Sequence, residues 1–163
     1  DWCVYHKVYA GTDNFVYLNY NNGTINYVNF PWNSTAPTSS VFSVSNNAMV
    51  NANTNTYIAY LFASLDGVSK VGSYTGNGSS QNIDCGFSNG SSFIVIKKIN
   101  NTGNWFCFDD QQGIVAGNDP FIQMNNSNAQ NTSNDYVDPY SAGFTVNSSL
   151  NTNGDTYIFY AIA

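Results

Sequence analysis

Residues 156–163 read TYIFYAIA, and this stretch decides the fold of the chain. It is a run of β-branched and aromatic residues that follows an Asn-Gly-Asp turn, which is typical of a buried β-strand. Residues 56–63 read TYIAYLFA, a near copy of the first stretch. The two runs predict two equivalent buried strands, and they indicate that the chain contains a repeated β unit.

The repeat extends beyond these two strands. Residues 1–5 (DWCVY) match residues 104–108 (NWFCF), and residues 41–44 (VFSV) match residues 143–146 (GFTV). The offset between matched segments stays near one hundred residues, as expected for duplicated units whose loops have changed. Because Trp2 and Trp105 occupy repeated strand positions, we interpret both as core residues.

The spacing of the predicted strands indicates the architecture. The region between residues 72 and 99 holds predicted strands that have no counterpart in the first copy. We therefore predict a first β unit over residues 1–66, incomplete at its N-terminal end, and a second, more complete unit over residues 67–163. Strands that recur about every 8–12 residues with Gly and Asn turns favour an antiparallel sandwich. The predicted fold class is all-β, an antiparallel β-sandwich of the jelly-roll or concanavalin-like kind.

Composition agrees with an all-β chain and argues against several classes of function. The chain has ten Asp and four Lys, with no Glu and no Arg. The missing residues are strong helix formers, so long helices are not expected. The net charge of −6 and the single lysine pair, Lys97 and Lys98, argue against a nucleic-acid partner. We interpret this pair as the polar end of a strand. No apolar run reaches membrane-spanning length, so membrane insertion is not expected.

No catalytic arrangement is recognisable in the sequence. His6 is the single histidine and no G-x-S-x-G nucleophile elbow accompanies it, so we interpret it as a solvent-facing strand residue. The aspartates show no spacing typical of glycoside hydrolysis. Cys3, Cys85 and Cys107 lack metal-binding spacing and are interpreted as small buried residues, with one disulfide as the alternative. We predict that the chain is not an enzyme.

Aromatic side chains near polar loops are the candidate ligand-binding groups. Sugar rings stack on exposed aromatic faces, so Trp32, Tyr17, Tyr20 and Tyr140 form the predicted glycan-binding set. A protein–protein interface would use exposed aromatic side chains equally well. For Trp32, a position in the core and a position in a ligand platform are equal alternatives.

Loop carboxylates are the candidate metal ligands. Ca²⁺ takes carboxylate and carbonyl oxygens, and Asp119, Asp135 and Asp138 are the predicted ligands. No EF-hand spacing is present, and solvated loop aspartates are the alternative interpretation. No other cofactor is expected.

Six short motifs, spread over nearly the whole chain, carry a family resemblance. They are YHK at residues 5–7, WNSTAPTS at 32–39, TYIAYLFA at 56–63, GSYTGNG at 72–78, GNW at 103–105 and TYI at 156–158. In this order they resemble a repeat domain of tailed-phage virion proteins, structural or tail-fibre-like, that occurs in marine phages including cyanophages. The resemblance implies a β-sandwich-like domain and a location on the virion, and it supplies no enzymatic assignment.

These features together predict a function in assembly. We expect a virion structural protein, in a fibre or other appendage, whose partners are other virion subunits and whose own state is a homo-oligomer. An incomplete first unit leaves a sheet edge that a strand from elsewhere would complete. The alternative is a carbohydrate-binding module that recognises glycans of the host surface.

Overall fold

The computed structural model describes residues 1–8 and 12–163, and strands dominate its secondary structure. The strands are β1 (Cys3–Val4), β2 (Asn14–Tyr17), β3 (Ile25–Asn26), β4 (Ser69–Thr75), β5 (Gln81–Asp84), β6 (Phe93–Lys98), β7 (Trp105–Asp109), β8 (Ile122–Gln123), β9 (Val137–Tyr140), β10 (Gly143–Val146) and β11 (Thr156–Ile162). One-turn helix α1 (Ala48–Asn51) and a 3-10 turn (Ser148–Leu150) are the helical elements of the described residues. All paired strands are antiparallel, which confirms the predicted fold class.

A five-stranded sheet with β11 inside it forms the centre of the molecule. Its strand order is β4-β11-β6-β7-β8. β11 pairs with β4 on one edge and with β6 on the other, so that Phe159 lies between Gly72 and Ile96. The strand predicted at residues 156–163 is therefore confirmed, and both of its edges are hydrogen-bonded.

A second sheet, of order β5-β10-β9, packs on one face of the central sheet. Because side chains alternate along a strand, Tyr157, Phe159 and Ala161 of β11 all face this second sheet. Phe144 of β10 meets Phe159 edge-on, with 5.2 Å between the ring centres. Edge-on aromatic pairs add to the stabilisation from burial alone. These two sheets form the antiparallel β-sandwich.

The part of the chain before β4, described over residues 1–8 and 12–68, covers the other face of the central sheet. We call it the first part of the chain. β1, β2 and β3 form a three-stranded sheet whose Val16 packs with Trp105 and Ile158. The indole N–H of Trp105 donates to the carbonyl oxygen of Tyr17 at 2.8 Å. β11 is thus buried on both faces. Burial on both faces explains why the sequence of β11 does not alternate between apolar and polar residues.

Lys97 lies buried between the central sheet and the first part of the chain. Its ammonium group donates to the carbonyl oxygens of Asn21, at 3.1 Å, and of Gly103. Burial, with a smaller effect of the neighbouring Lys98, lowers the pKa of Lys97 to about 8. The lysine pair ends β6, as the sequence interpretation expects, and Lys98 pairs with Asp155 at 3.0 Å. The full burial of Lys97 was not expected.

Two segments that the sequence predicts as strands form no strand in the structure. They are residues 41–44 and residues 56–63, whereas their repeats form β10 and β11. β11 has a partner strand on each edge and a layer on each face, and residues 56–63 have no partner strand within the described chain. Because a strand needs such partners to be stable, near-identical residues form a strand in one place only. The two related units and the jelly-roll connectivity stay predictions.

The environments of several single residues differ from the sequence interpretation. His6 is only 7% exposed, so the expectation of a solvent-facing histidine is wrong. Burial, and secondarily the charge of Lys7, lowers the pKa of His6 to about 4. Trp105 is buried as predicted, but the interpretation of Trp2 as a core residue is wrong, because Trp2 precedes β1, an edge strand of the three-stranded sheet, and is 46% exposed. The three cysteines are free, and Cys85 is buried as predicted.

Candidate functional site

Residues 56–63 form a long exposed apolar segment, which we name the open segment. Ile58 is 70% exposed and Leu61 is 77% exposed. Within residues 1–8 and 12–163, the main-chain N–H and C=O groups of residues 58–62 have no hydrogen-bond partner. Free main-chain groups next to apolar side chains make a template for strand pairing with another chain.

Hydrogen bonds hold both ends of the open segment. At one end the hydroxyl of Tyr57 donates to the carbonyl oxygen of Ala48 at 2.8 Å and accepts from the N–H of Ala52 at 2.7 Å. At the other end the hydroxyl of Ser69 donates to the carbonyl oxygen of Ala63 at 2.9 Å. The open segment is therefore displayed between two fixed points.

Two aromatic contacts support the middle of the open segment. Trp2 stacks on Tyr60, with 5.8 Å between the ring centres, and Phe62 contacts Tyr160 of β11 at 4.8 Å. These contacts use one side of the segment and leave Tyr60 and Phe62 largely exposed. The open segment therefore contacts β11, the strand that its sequence resembles, without pairing with it.

β4 is an edge strand of the central sheet, and its outer edge is only partly used. Leu65 and Ser69 exchange two main-chain hydrogen bonds, both of 2.9 Å. The hydroxyl of Ser64 accepts from the N–H of Val71 at 3.0 Å and contacts its carbonyl oxygen. Because outward-facing residues alternate along a strand, Ser73 and Thr75 carry the next outward main-chain groups. Both residues are exposed, and they have no outer partner within the described chain.

The exposed large apolar side chains of the described residues lie mainly in the first part of the chain. Before β4 they are Trp2, Val8, Tyr20, Tyr27, Val28, Val41, Phe42, Tyr57, Ile58, Tyr60, Leu61, Phe62, Leu65 and Val68. From β4 onward they are Val115, Ile122 and Met124. Exposed large apolar side chains are therefore concentrated in the part of the chain before β4.

The predicted glycan-binding residues do not form one platform. Tyr17 and Tyr20 meet edge-on, with 5.4 Å between the ring centres. Trp32 is partly buried, because its indole N–H donates to the carbonyl oxygen of Asn14 at 3.3 Å and its ring packs on Tyr5. Tyr140 lies on β9, in the sheet on the opposite face of the central sheet. The structure thus brings two of the four residues together.

Tyr140 lines an open groove of about 710 Å³. The turns at residues 88–92 and 139–141 form its walls, and Asp110 and Ile114 complete them. Within the described chain the side chains of Ser88, Asn89, Tyr140 and Ser141 make no hydrogen bond of their own. Unused hydroxyl and amide groups around one aromatic ring suit a neutral ligand that carries many hydroxyl groups.

Asp119, the first predicted Ca²⁺ ligand, is fully buried and binds main-chain N–H groups. Its carboxylate accepts from the N–H groups of Val115, Tyr136 and Val137 at 3.0–3.2 Å. Burial raises the pKa of Asp119, and these three hydrogen bonds oppose that effect. A cation and an N–H donor compete for the same oxygen lone pairs. In this structure the three N–H donors occupy the carboxylate of Asp119, which thereby links the segments that carry them.

Asp135 and Asp138 lie near Asp119 and share one donor. Both carboxylates accept from the side-chain amide of Asn147, and Asp138 also accepts from the N–H of Gly117 at 3.3 Å. Within residues 1–8 and 12–163, no group of three or more His, Cys, Asp or Glu side chains is arranged to hold a metal ion. A cation at these predicted ligands would have to displace the bound N–H groups.

Two observations concern the expected absence of nucleic-acid and membrane partners. The lysine pair forms no exposed basic patch, because Lys97 is buried and Lys98 bonds Asp155. In the part of the chain that the structure describes, no helix has the length and apolar character needed to cross a bilayer.

Sequence reasoning missed the exposure of the open segment and the free edge of β4. The run TYIAYLFA is apolar enough to predict burial, and nothing in its own residues indicates that its partner strands are missing. The available signal was the lack of first-copy counterparts for the strands between residues 72 and 99. Two of those strands, β4 and β6, are the partners of β11.

Comparison with other proteins places the chain in a family. No curated protein and no solved structure matches the chain. The model of one family, described as a domain of unknown function, DUF7483, matches residues 1–163. The chain therefore belongs to the DUF7483 family.

Proposed function

We propose that this chain is a structural subunit of a phage virion, in a fibre or other appendage, that acts by assembling with other subunits. The open segment carries the proposal. It combines exposed apolar side chains with free main-chain groups, and it is also one of the motifs of the phage-protein resemblance. Exposed apolar area is unfavourable in water by about 25 cal/mol per Å², so covering this segment would favour association.

The rest of the molecule supports a role in assembly. The sandwich supplies a rigid support whose core is closed by aromatic pairs such as Phe144 and Phe159. The first part of the chain is fixed to that support by Lys97 and Trp105. A rigid support that displays an unpaired segment is what strand-mediated assembly requires.

The assembly proposal predicts that two substitutions in the open segment abolish self-association. The wild-type chain is expected to form a multimer at micromolar concentration, and Ile58→Asn/Leu61→Asn is expected to shift it to the monomer mass. Both side chains point into solvent, so the fold should be unchanged. Multi-angle light scattering measures the mass, and circular dichroism checks the fold.

Val115→Asn/Ile122→Asn is the matched control, because it removes two exposed apolar side chains from the other part of the molecule. This control should retain the multimer. A wild-type chain that stays monomeric at micromolar concentration would count against the proposal. So would purified virions, from a phage that encodes the chain, in which mass spectrometry finds no such protein.

Glycan recognition is a second candidate, favoured by the groove at Tyr140 and its unused hydroxyl and amide groups. We expect weak binding to neutral host glycans, reduced about tenfold in Tyr140→Ala because a stacking aromatic ring contributes roughly this much. Tyr27→Ala removes an exposed tyrosine elsewhere and should bind normally. A broad glycan array without any signal for the wild-type chain would refute this candidate.

A further inference from the structure

We infer that the open segment of one copy pairs, as an antiparallel strand, with the outer edge of β4 in a second copy of the chain. This inference rests on the proposed assembly function and names the surface and the partner that assembly uses. Within the residues that the structure describes, each copy carries both halves of the contact: an apolar segment with free main-chain groups, and an edge strand with free outward groups at Ser73 and Thr75.

We infer the pairing preference of the open segment from β11, whose sequence is a near copy. β11 shares the residues Thr, Tyr, Ile and Tyr with the open segment at equivalent positions, and it pairs antiparallel with β4. In that pairing Ile158 lies opposite Ser73. The same register on the outer edge places Ile58 of one copy opposite Ser73 of the other and Thr56 opposite Thr75. The contact therefore uses the start of the open segment, because Leu65 and Ser64 of the same copy already bond the outer edge at Ser69 and Val71.

The open segment is unsuited to replacing β11 inside a second copy. Phe159 of β11 lies directly over Gly72, where an added Cβ would stand only 2.3 Å from the ring. The open segment has Ala59 at the equivalent position, so it would leave the space of a phenylalanine ring empty in the core. Addition at the edge creates no such cavity, because the outward groups of Ser73 and Thr75 have no partner within the described chain.

Within one copy the described part of the chain shows no hydrogen bond between the open segment and Ser73 or Thr75. Ser64 already bonds the outward N–H of Val71, and the Leu65–Ser69 contact sets the direction in which the chain leaves β4. Tyr57 and Phe62 hold the open segment away from Ser73 by their bonds to Ala48 and their contact with Tyr160. The free edge and the free segment can therefore meet between copies.

Reciprocal pairing of the open segment with β4 of the other copy gives a closed dimer. Because the open segment and β4 are neighbours in sequence, a two-fold axis that places one segment on the partner's β4 also places the partner's segment on the first β4. Such an isologous interface pairs Ser73 and Thr75 of each copy with the start of the open segment of the other copy, and the assembly ends at two copies. Each central sheet gains one added strand from the partner copy.

Cross-linking between two variants that each carry one added cysteine tests this contact. Ile58→Cys and Ser73→Cys are prepared separately, mixed and oxidised, so that a bond between positions 58 and 73 forms only between copies. The native thiols interfere little, because burial raises the pKa of Cys3 and of Cys107 to about 11 and thiolate is the reactive form. We expect covalent dimer in the mixture and little in either variant alone. A mixture that yields no more dimer than the separate variants overturns the inference.

A second variant tests the edge without touching the open segment. Ser73→Pro removes an outward N–H, and we expect it to raise the dissociation constant of the dimer at least about tenfold. Ser73→Ala keeps the N–H and is the matched control. If Ile58→Asn/Leu61→Asn abolishes assembly while Ser73→Pro and the cysteine mixture have no effect, the assembly function stands and this pairing is wrong.

Discussion

Replacing Phe159 with alanine is expected to lower the free energy of unfolding by about 3–5 kcal/mol. Phe159 is buried in the sandwich core, where it packs edge-on against Phe144 and tilted against Tyr74. Truncation removes the transfer free energy of the ring and leaves a cavity, because sheets on both sides prevent collapse. Urea denaturation followed by tryptophan fluorescence measures the loss.

Phe62→Ala is the control for this experiment, since Phe62 is the same residue type in an exposed position of the open segment. It is expected to cost less than about 1 kcal/mol. A second check uses Gly72, whose added Cβ would meet the Phe159 ring. Gly72→Ala should destabilise the wild-type chain by about 1–3 kcal/mol and should be nearly neutral in Phe159→Ala. Additive effects of the two substitutions would contradict this account of the contact.

Lys97→Ala is expected to lower the free energy of unfolding by about 3 kcal/mol. The substitution opens a cavity beneath the first part of the chain and leaves the carbonyl oxygens of Asn21 and Gly103 without their ammonium donor. Lys7→Ala is the matched control, because Lys7 is exposed, and its effect should stay within about 0.5 kcal/mol. Equal effects of the two substitutions in urea denaturation would show that Lys97 does not connect the layers.

Lys97 also predicts how stability depends on pH. Its pKa is lowered in the folded chain to about 8, whereas the ordinary value of 10.5 applies to the unfolded chain. Between these values the unfolded chain binds the proton and the folded chain does not, so this contribution to stability rises with pH. Relative to Lys97→Met, the wild-type chain should gain up to about 3 kcal/mol from pH 8 to pH 10.5. A difference that is flat or falls over this range would contradict the lowered pKa.

Strand patterns in this sequence identify the apolar runs, but they do not predict which run is paired and buried. The run at residues 156–163 was predicted as a buried strand and is β11, and Trp105 was predicted as a core residue and is buried. The same reasoning applied to residues 56–63 predicted a second buried strand, which the structure does not contain. Local apolar character is a property of the residues themselves, whereas the presence of neighbouring strands is not.

The burial of single side chains also depends on neighbours that the local sequence does not reveal. Lys97 and His6 look solvated in sequence because charged and titratable groups are seldom buried, yet both lie beneath the contact between the first part of the chain and the central sheet. The candidate site was only partly predictable for this reason. The motif TYIAYLFA was singled out, but its exposure and the free outer edge of β4 depend on which strands are adjacent in space.

By itself the sequence determined an antiparallel all-β chain, a strand at residues 156–163 and a near copy of that strand at residues 56–63, because these follow from residue type and turn spacing. Only the tertiary structure decided which copy is paired. β11 lies between β4 and β6 with a layer on each face, and residues 56–63 have neither within the described chain. The physical reason is that a strand is stabilised by hydrogen bonds and side-chain contacts from its neighbours, and these arise only when distant segments come together.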